Sequence, residues 1–491
     1  MKTGSIIVCA GVIVAVSVCA AKPAAELTSL DGKPISIPEM EAAVTGIMEK
    51  AGVPGLSCAI INGSKIAYSK TFGVKNKKSG EPNDEQTIFA AASFSKTVFA
   101  YLVMLLAEDG VIDLDKPLHK FLNKPLVDYK KYADLKGDYR YKQITARLCL
   151  SHSTGFPNWR FLTEDKTLKF LFDPGQRHSY SGEGIQLLQM AVEEVTGKGL
   201  EELARARVFE PLGMTRTSYV WQDVWKENAA TPHDQYERPR NLDERREADA
   251  AGSMFTTAGD YARLLVDIIG AEGKRKATMD EMLRSQVAIG CRNMFGPGAW
   301  QQTDEYEPMH LSWCLGWGRF DTKHGRAFFH TGHDFGWQNY TVTYADKGIG
   351  VVLMSNGDNF ESVARELANT VIGDMYSPFD WLGYPHYDPN SKKEPPPAPV
   401  AIDVDPSILK TYAGTYDFAI TDKLPTVKFE DGCLLISNDQ VQWMPLFAET
   451  QTRFFTEDEG YRFVFITDND GRVTHMNIEV DGVEIAGERV K

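Results

Sequence analysis

The sequence predicts an α+β fold: an antiparallel sheet flanked by helices and interrupted by a mainly helical insert, followed by a small all-β, barrel-like domain. Three features of the chain predict it. Strand-like runs occur near both ends of residues 35–385, with helical patterns between them. A proline-rich stretch then covers 386–405, and 406–491 consists of short alternating runs separated by turn residues. Strands from both ends of a segment that pair in one sheet enclose the intervening helices as an insert.

The first elements follow from local patterns. Ile37 to Gly52 is predicted to be a helix, and an Asn62-Gly63 turn is predicted to join two strands as a hairpin. From the apolar helix that begins at Ser93, described below, to about Asp267 the chain is predicted to be mainly helical. The predicted strands of this part are Ser57–Ile61, Lys65–Lys70, Arg326–His330, Tyr340–Tyr344 and Gly350–Met354, the last two separated by a turn at Asp346-Lys347-Gly348.

The stretch 386–405 is predicted to be a linker, because clustered prolines favour an extended spacer and cannot join a sheet core. Beyond it, regularly spaced turns separate strand-like runs such as 463–466 and 473–478, which predicts a small β-barrel or meander. The turns are Glu430-Asp431-Gly432, Asp458-Glu459-Gly460, Asp468-Asn469-Asp470-Gly471 and Asp481-Gly482. A structural cap on the first domain is favoured over a separate ligand site.

The N-terminus has the pattern of an export signal. Lys2 supplies the positive start, 6–18 is apolar, and small residues near 19–21 suit cleavage, so 1–21 is predicted to be a signal peptide. The protein is therefore predicted to be exported, to the periplasm or the medium. Cys19 raises a lipoprotein alternative, which Val18 disfavours because a small residue is normal there. No later apolar stretch reaches membrane-spanning length.

Composition limits the partners. The chain of 491 residues has a formal net charge of −14, which argues against a nucleic-acid-binding face.

The five cysteines outside the signal are scattered along the chain, their number is odd, and they contain no Cys-x-x-Cys pair. Buried free thiols are therefore favoured over a disulfide framework. His330, His333 and Asp334 do not form a recognised metal motif, and neither a metal nor another cofactor is expected.

Ser93-Phe94-Ser95-Lys96 begins a long apolar helix that Gly110 is predicted to end. A lysine three residues after a serine lies on the same helix face. If desolvation lowers the pKa of that lysine, it can take the serine proton and create a nucleophile. The alternative is that Ser93 caps the helix and Lys96 is solvated. The helix is apolar on nearly all faces, which favours burial and therefore a function.

Two later segments supply partners. Tyr180 lies at a loop–helix junction, where a nearby lysine can lower its phenol pKa and let it transfer protons. His330-Thr331-Gly332 follows a predicted strand, and Gly332 allows a substrate to lie close to the backbone. The amide of His333 is then a candidate oxyanion donor opposite the amide of Ser93. The His333 side chain itself is predicted to be an ordinary loop residue, and His152 a structural hydrogen-bonding one.

Ser93-x-x-Lys96, Tyr180-Ser181-Gly182 and His330-Thr331-Gly332 resemble, in order and spacing, the motifs of the serine β-lactamase and penicillin-binding-protein superfamily. The similarity is greatest to the branch of class C β-lactamases, D-alanyl-D-alanine carboxypeptidases and esterases. Further stretches agree: 110–118, 150–157 and 251–260. The region after the linker resembles a β-domain often appended to this family.

The resemblance implies a mechanism. Ser93 would attack a carbonyl to form an acyl-enzyme, Lys96 and Tyr180 would share the proton transfers, and the amides of Ser93 and His333 would hold the oxyanion. His330 stands where many members have the lysine of Lys-Thr-Gly, and would orient a substrate carboxylate or hydrogen-bond Tyr180. Water would then release the acyl group.

Two departures from the family pattern bear on the substrate. Gly182 replaces the asparagine of Tyr-x-Asn, whose amide contacts the acyl side chain in lactamases. His330 replaces a fixed positive charge with an imidazole that is neutral at pH 7. The sequence therefore predicts hydrolysis of an ester or of a D-amino-acid-containing amide, with weak or no β-lactamase activity.

Two alternatives stay open: a β-lactamase, or a penicillin-binding or sensory module that is acylated without turnover. The expected partner is a small-molecule or peptide substrate. The sequence does not define the oligomeric state.

Overall fold

A computed structural model describes residues 27–390, 394–395, 397–418, 424–438, 440, 443–456, 461–480 and 483–490. The predicted signal peptide, including Cys19, lies outside the described residues, as do the predicted turns at 458–460 and 481–482. Within the described part, no helix combines the length and the apolar character needed to cross a bilayer.

The helices of the first 385 residues are α1 Ile37–Ala51, α2 Phe94–Glu108, α3 Ala146–Leu150, α4 Gly182–Thr196, α5 Leu200–Ala204, α6 Glu210–Leu212, α7 Ala258–Gly270, α8 Gly273–Met282, α9 Ala364–Ile372 and α10 Phe379–Leu382. A π-helical turn at Arg205–Phe209 joins α5 to α6. Short 3₁₀ turns lie at Leu118–Lys120, Leu126–Asp128, Lys130–Leu135, Tyr139–Gln143, Arg160–Leu162, Asp223–Asn228, Pro297–Trp300, Glu307–Met309, Ala345–Lys347 and Phe360–Ser362.

The strands of the same region are β1 Leu27–Thr28, β2 Pro34–Ile35, β3 Gly55–Asn62, β4 Lys65–Asn76, β5 Glu81–Pro82, β6 Phe89–Ala90, β7 Phe255–Thr256, β8 Val287–Ala288, β9 Ser312–Trp313, β10 Gly318–Thr322, β11 Gly325–Asp334, β12 Trp337–Tyr344 and β13 Ile349–Ser355. Nine of them form an antiparallel sheet in the order β5-β4-β3-β13-β12-β11-β10-β9-β8. The N-terminal hairpin thus pairs with strands that follow more than 200 residues later, which confirms the predicted α+β architecture.

Side chains alternate between the two faces of this sheet, and each face has its own core. On β13, Val351 and Leu353 pack with α1 and α9, whereas Val352 and Met354 pack with α2 and α7. The helix α2, which follows Ser93, is buried along nearly its whole length, as its apolar sequence predicts. Gly110 follows its end with a φ of 75°, a left-handed conformation that glycine adopts readily.

Two local predictions require correction. The β3–β4 turn has Gly63 and Ser64 at positive φ, with Asn62 paired to Lys65, so the turn lies one residue later than Asn62-Gly63. The segment 213–254 is largely irregular rather than helical. Pro232 and Pro239 interrupt it, and Asp234 accepts hydrogen bonds there from nearby backbone N–H groups and from the Arg238 guanidinium.

Beyond the predicted linker, α11 Pro406–Tyr412 leads into a closed antiparallel barrel in which each strand pairs with the next and the last pairs with the first. The described part of 386–405 contains neither helix nor strand. The barrel strands are β14 Gly414–Phe418, β15 Thr426–Glu430, β16 Cys433–Ser437, β17 Met444–Ala448, β18 Arg453–Phe455, β19 Arg462–Thr467, β20 Val473–Val480 and β21 Val483–Arg489. The predicted barrel-like domain is therefore a complete barrel with its own apolar core.

Candidate active site

Ser93 lies at the N-terminus of α2, but its hydroxyl does not cap the helix. Its side chain makes no capping hydrogen bond to the helix, and the residue is partly exposed. Ala92, immediately before it, has a φ of 46°, in the left-handed region that an alanine rarely adopts. This sharp bend places Ser93 at the point where the chain turns from β6 into α2.

Lys96 is buried, with 1% of its surface exposed. Its Nζ donates to the Ser93 Oγ at 3.0 Å and to the Ala251 carbonyl at 2.5 Å. Burial lowers the pKa of Lys96 to about 7, against the opposing charges of Asp249 and Asp334. The solvated-lysine alternative is therefore wrong, and a substantial fraction of Lys96 is a neutral amine at pH 7.

The Ala251 carbonyl belongs to a segment that wraps the start of α2. In this segment the Met254 N–H donates to the Ser95 Oγ at 3.0 Å, and β7 pairs with β6. The sequence of 251–260 is similar to that of the family, but no residue in it was predicted to take part in the site. The Ala251 contact depends on a backbone carbonyl, which no side-chain motif reveals.

Tyr180 lies beside these groups. The Lys96 Nζ is 5.0 Å from the centre of its ring, and the Tyr180 hydroxyl is buried without a hydrogen bond of normal geometry. Burial raises the pKa of the phenol well above its ordinary value, an effect that the Ser93 hydroxyl opposes. The expected fall of this pKa is thus wrong, because desolvation dominates, and the Tyr180 phenol stays protonated at neutral pH.

His330 is fully buried, with its ring centre 6.1 Å from that of Tyr180. Its Nδ1 lies 2.6 Å from the Thr331 carbonyl, which can only accept, so Nδ1 carries the proton and Nε2 is an acceptor. Burial lowers the pKa of His330 to about 3, and the Lys96 charge acts in the same direction. The imidazole is therefore neutral and holds no fixed charge for a substrate carboxylate.

Gly332 packs against the turn that carries Ser93. A Cβ at this position would lie 2.7 Å from the Ala91 carbonyl oxygen, so only glycine allows the approach. β10 pairs with β11 only as far as Phe329, so the β11 residues His330 to Asp334 extend past the end of β10. The buried Thr331 hydroxyl hydrogen-bonds the Tyr384 hydroxyl and donates to the Asn339 carbonyl at 3.3 Å.

His333 lies within β11, not in a loop as predicted, because the strand continues to Asp334. Its side chain is 57% exposed, and its Nδ1 is 2.8 Å from Glu361. Desolvation lowers the pKa of His333, but the hydrogen bond and charge of Glu361 outweigh it and raise that pKa to about 9.

Gly182 is the first residue of α4 and faces the ring of Trp159. A Cβ at Gly182 would lie 2.4 Å from a ring carbon, so the indole occupies the space that a side chain here would need. The Lys96 Nζ is 5.9 Å from the same ring. Trp159 was not predicted to be near the site, because it lies in a turn-rich stretch that contains no recognisable motif.

His152 has the structural contact predicted for it. Its Nδ1 accepts from the Ser181 N–H at 3.2 Å, and its ring centre is 4.2 Å from that of Tyr180.

The described residues contain no cluster of three or more His, Cys, Asp or Glu side chains suited to a metal ion.

The Beta-lactamase family model matches residues 40–372, and a domain of unknown function, DUF3471, matches 398–489. Penicillin-binding protein 4 of Amycolatopsis lactamdurans is 25% identical over 398 residues, which cover 74% of this chain and 93% of that protein.

Two solved structures are similar in fold. The octameric penicillin-binding protein homologue from Pyrococcus abyssi has a TM-score of 0.56 and 21% identity, covering 92% of this chain and 100% of that one. D-alanine carboxypeptidase AmpC from Burkholderia cenocepacia has a TM-score of 0.55 and 19% identity, covering 69% and 99%.

The family model spans well over half of the chain and includes every segment that forms the site. The chain therefore belongs to the Beta-lactamase family, as a serine hydrolase related to penicillin-binding proteins and D-alanyl-D-alanine carboxypeptidases.

Proposed function

We propose that this protein is an exported hydrolase that forms an acyl-enzyme on Ser93 and cleaves an ester or a D-amino-acid-containing amide, with weak or no β-lactamase activity. The observation that carries the proposal is the Lys96 amine, buried, with a pKa of about 7 and 3.0 Å from the Ser93 Oγ. Such an amine accepts a proton near neutral pH without an external base.

In the proposed reaction, neutral Lys96 takes the proton of Ser93 as Oγ bonds to the substrate carbonyl carbon. The amides of Ser93 and His333 stabilise the resulting oxyanion. Tyr180, protonated at neutral pH, gives its proton to the leaving group as the bond to that group breaks, and the proton on Lys96 restores the phenol. Lys96, neutral again, then takes a proton from the water that attacks the acyl carbon. It passes this proton to the Ser93 Oγ as the bond from Oγ to the acyl carbon breaks and the acid leaves. The His330 Nε2 can accept a hydrogen bond from the Tyr180 hydroxyl, which lacks a partner as well. Gly332 lets the strand lie close to the turn that carries Ser93, and the Asn339 side chain donates to the Ala90 carbonyl at 3.1 Å.

Poor β-lactam turnover follows from the same residues. A β-lactam carboxylate needs a cation, and the imidazole of His330 is neutral. Trp159 fills the space beside Gly182 that an asparagine side chain would need. The D-alanine carboxypeptidase among the structural neighbours supports D-amino-acid amides as a candidate substrate class alongside esters.

The test is p-nitrophenyl butyrate hydrolysis by the mature protein beside its Ser93→Ala variant. We expect turnover in the former and background release in the latter. Full hydrolysis by Ser93→Ala would refute the mechanism, and efficient nitrocefin hydrolysis would refute the substrate class. A β-lactam mass adduct on Ser93, without turnover of any ester or D-peptide, would instead identify a penicillin-binding module. Export is tested by fractionating cells and sequencing the mature N-terminus.

A further inference from the structure

Trp159 is a partly buried aromatic side chain held rigidly beside the catalytic groups. On one side of it, Asn158 accepts the Gly182 N–H through its carbonyl and its side-chain oxygen, both at 3.1 Å. On the other side, the Arg160 guanidinium forms a bidentate pair with Glu183, at 2.9 and 2.8 Å. Both neighbours of Trp159 are thus fixed to the start of α4, and the indole is fixed between them.

Phe295 is a second aromatic side chain at the site. It is 45% exposed, and its ring lies 5.4 Å from that of Tyr180 in an edge-to-face arrangement. The preceding residue, Met294, is buried, and its N–H donates to the Trp381 carbonyl at 2.8 Å. The backbone therefore holds Phe295 partly in solvent and against a catalytic side chain.

Exposed single apolar residues are common and need no explanation. Here, however, one aromatic ring contacts Tyr180 and another lies next to Lys96, the two side chains that flank Ser93. A third ring, that of Phe161, lies nearly parallel to that of Trp159, with 6.0 Å between the ring centres. The reacting bond is thus bordered by aromatic surface, and the imidazole at position 330 adds no charge there.

We propose that Trp159 and Phe295 form a subsite for an uncharged, apolar acyl group, such as an aromatic or medium-chain aliphatic one. This inference rests on the proposed acyl-enzyme function and narrows its substrate class. The acyl group is assigned rather than the leaving group, because it stays bonded to Ser93 beside these rings through both half-reactions. Among D-amino-acid amides whose amino group is acylated and therefore uncharged, the same subsite favours D-phenylalanine over D-alanine as the acyl residue.

The experiment compares p-nitrophenyl acetate, butyrate and octanoate as substrates of the full-length protein, Trp159→Leu, Trp159→Ala and Phe295→Ala. Phe447→Ala is a matched control, because Phe447 is 37% exposed in the barrel, where its ring contacts Phe455. We expect the two alanine variants to lose about 10-fold in kcat/KM for octanoate and less than about 3-fold for acetate. Trp159→Leu retains apolar surface and should lose less, and the control should behave as the unchanged protein.

Equal losses on all three esters would overturn the proposal, since they would indicate damage to the catalytic groups rather than to a subsite. Unchanged chain-length preference in both alanine variants would overturn it as well. A second series, in which the acyl group is acetyl and the leaving alcohol grows, should be insensitive to both substitutions. Sensitivity there instead would assign the rings to the leaving group. Failure of the proposed function itself is distinguished by acetate hydrolysis that survives in Ser93→Ala.

Discussion

Lys96 is the residue whose chemistry depends most on its surroundings. Its amine sits in a place where water cannot stabilise the charged form, so burial lowers its pKa to about 7. Ser93 and the Ala251 carbonyl hold the nitrogen in position. A lysine side chain can thereby act as a base near neutral pH.

This predicts the pH dependence of hydrolysis. Below about pH 7 Lys96 is protonated and cannot accept the Ser93 proton, so kcat/KM for a neutral ester should fall about 10-fold per pH unit. Above that pH it should reach a plateau, because Lys96 is then a neutral amine. His330, with a pKa of about 3, contributes no change in this range. The profile is measured from pH 5.5 to 8.5, and a flat or falling profile would contradict the role of Lys96.

Gly332 is predicted to tolerate no side chain. A Cβ there would meet the Ala91 carbonyl oxygen at 2.7 Å and the Asn339 side-chain amide at 2.9 Å. Because Ala91 lies two residues before Ser93, Gly332→Ala should displace the nucleophile and lower kcat/KM by about 100-fold, as a shift of 1 Å does.

Gly46→Ala is the control for this substitution. Gly46 lies in α1 with nothing within 4 Å of the Cβ position, so alanine should leave hydrolysis unchanged and raise the free energy of unfolding by roughly 0.5–1 kcal/mol. Full activity of Gly332→Ala would show that the close approach of β11 has no catalytic value.

At the scale of elements, a buried ion pair joins the loop that carries Trp159 to the start of α4. Arg160 and Glu183 have side chains that are 10% and 4% exposed, and the Arg160 backbone N–H also donates to Glu183, at 3.0 Å. Glu183→Gln leaves the buried guanidinium with only Asp134, 3.7 Å away, as a charge partner. We expect a loss of about 3 kcal/mol in the free energy of unfolding, measured by chemical denaturation.

The matched control is Asp165→Asn, which removes an exposed i,i+4 pair with Lys169 whose side chains are about half exposed. Such an exposed pair is worth roughly 0.2–1 kcal/mol. If both substitutions cost equally little, the Arg160–Glu183 pair does not hold the Trp159 loop in place.

Features that depend on local sequence pattern were predictable here, and features that depend on contacts between distant residues were not. The apolar run of α2 and the apolar residues Ala327–Phe329 of β11 are local patterns. The helix and the first half of the strand were therefore predictable, as were Ser93 and Lys96 on one helical turn. The left-handed Ala92 gives no local signal, since alanine has no preference for that conformation. Trp159 reaches the site through a contact between residues 23 positions apart, which composition and spacing do not encode.

At the scale of the whole molecule, the chain contains two self-contained bodies of apolar packing. The sheet region has a core on each face, and the barrel has a separate core around residues such as Tyr416, Phe465 and Met476. Lys130 and Asp417 approach to 3.8 Å between the two regions, but the Lys130 side chain is 90% exposed, and such a pair contributes little.

Separate cores predict separate unfolding, because cooperativity follows shared packing. Phe465 is buried in the barrel, and its ring stacks on Tyr412 at 4.3 Å. Phe465→Ala should cost about 3 kcal/mol there and lower the barrel transition by on the order of 10 °C in scanning calorimetry. The transition of the sheet region and ester hydrolysis at 25 °C should not change. A single transition that shifts as a whole, with loss of hydrolysis, would instead show that the barrel stabilises the catalytic site through packing between the two regions.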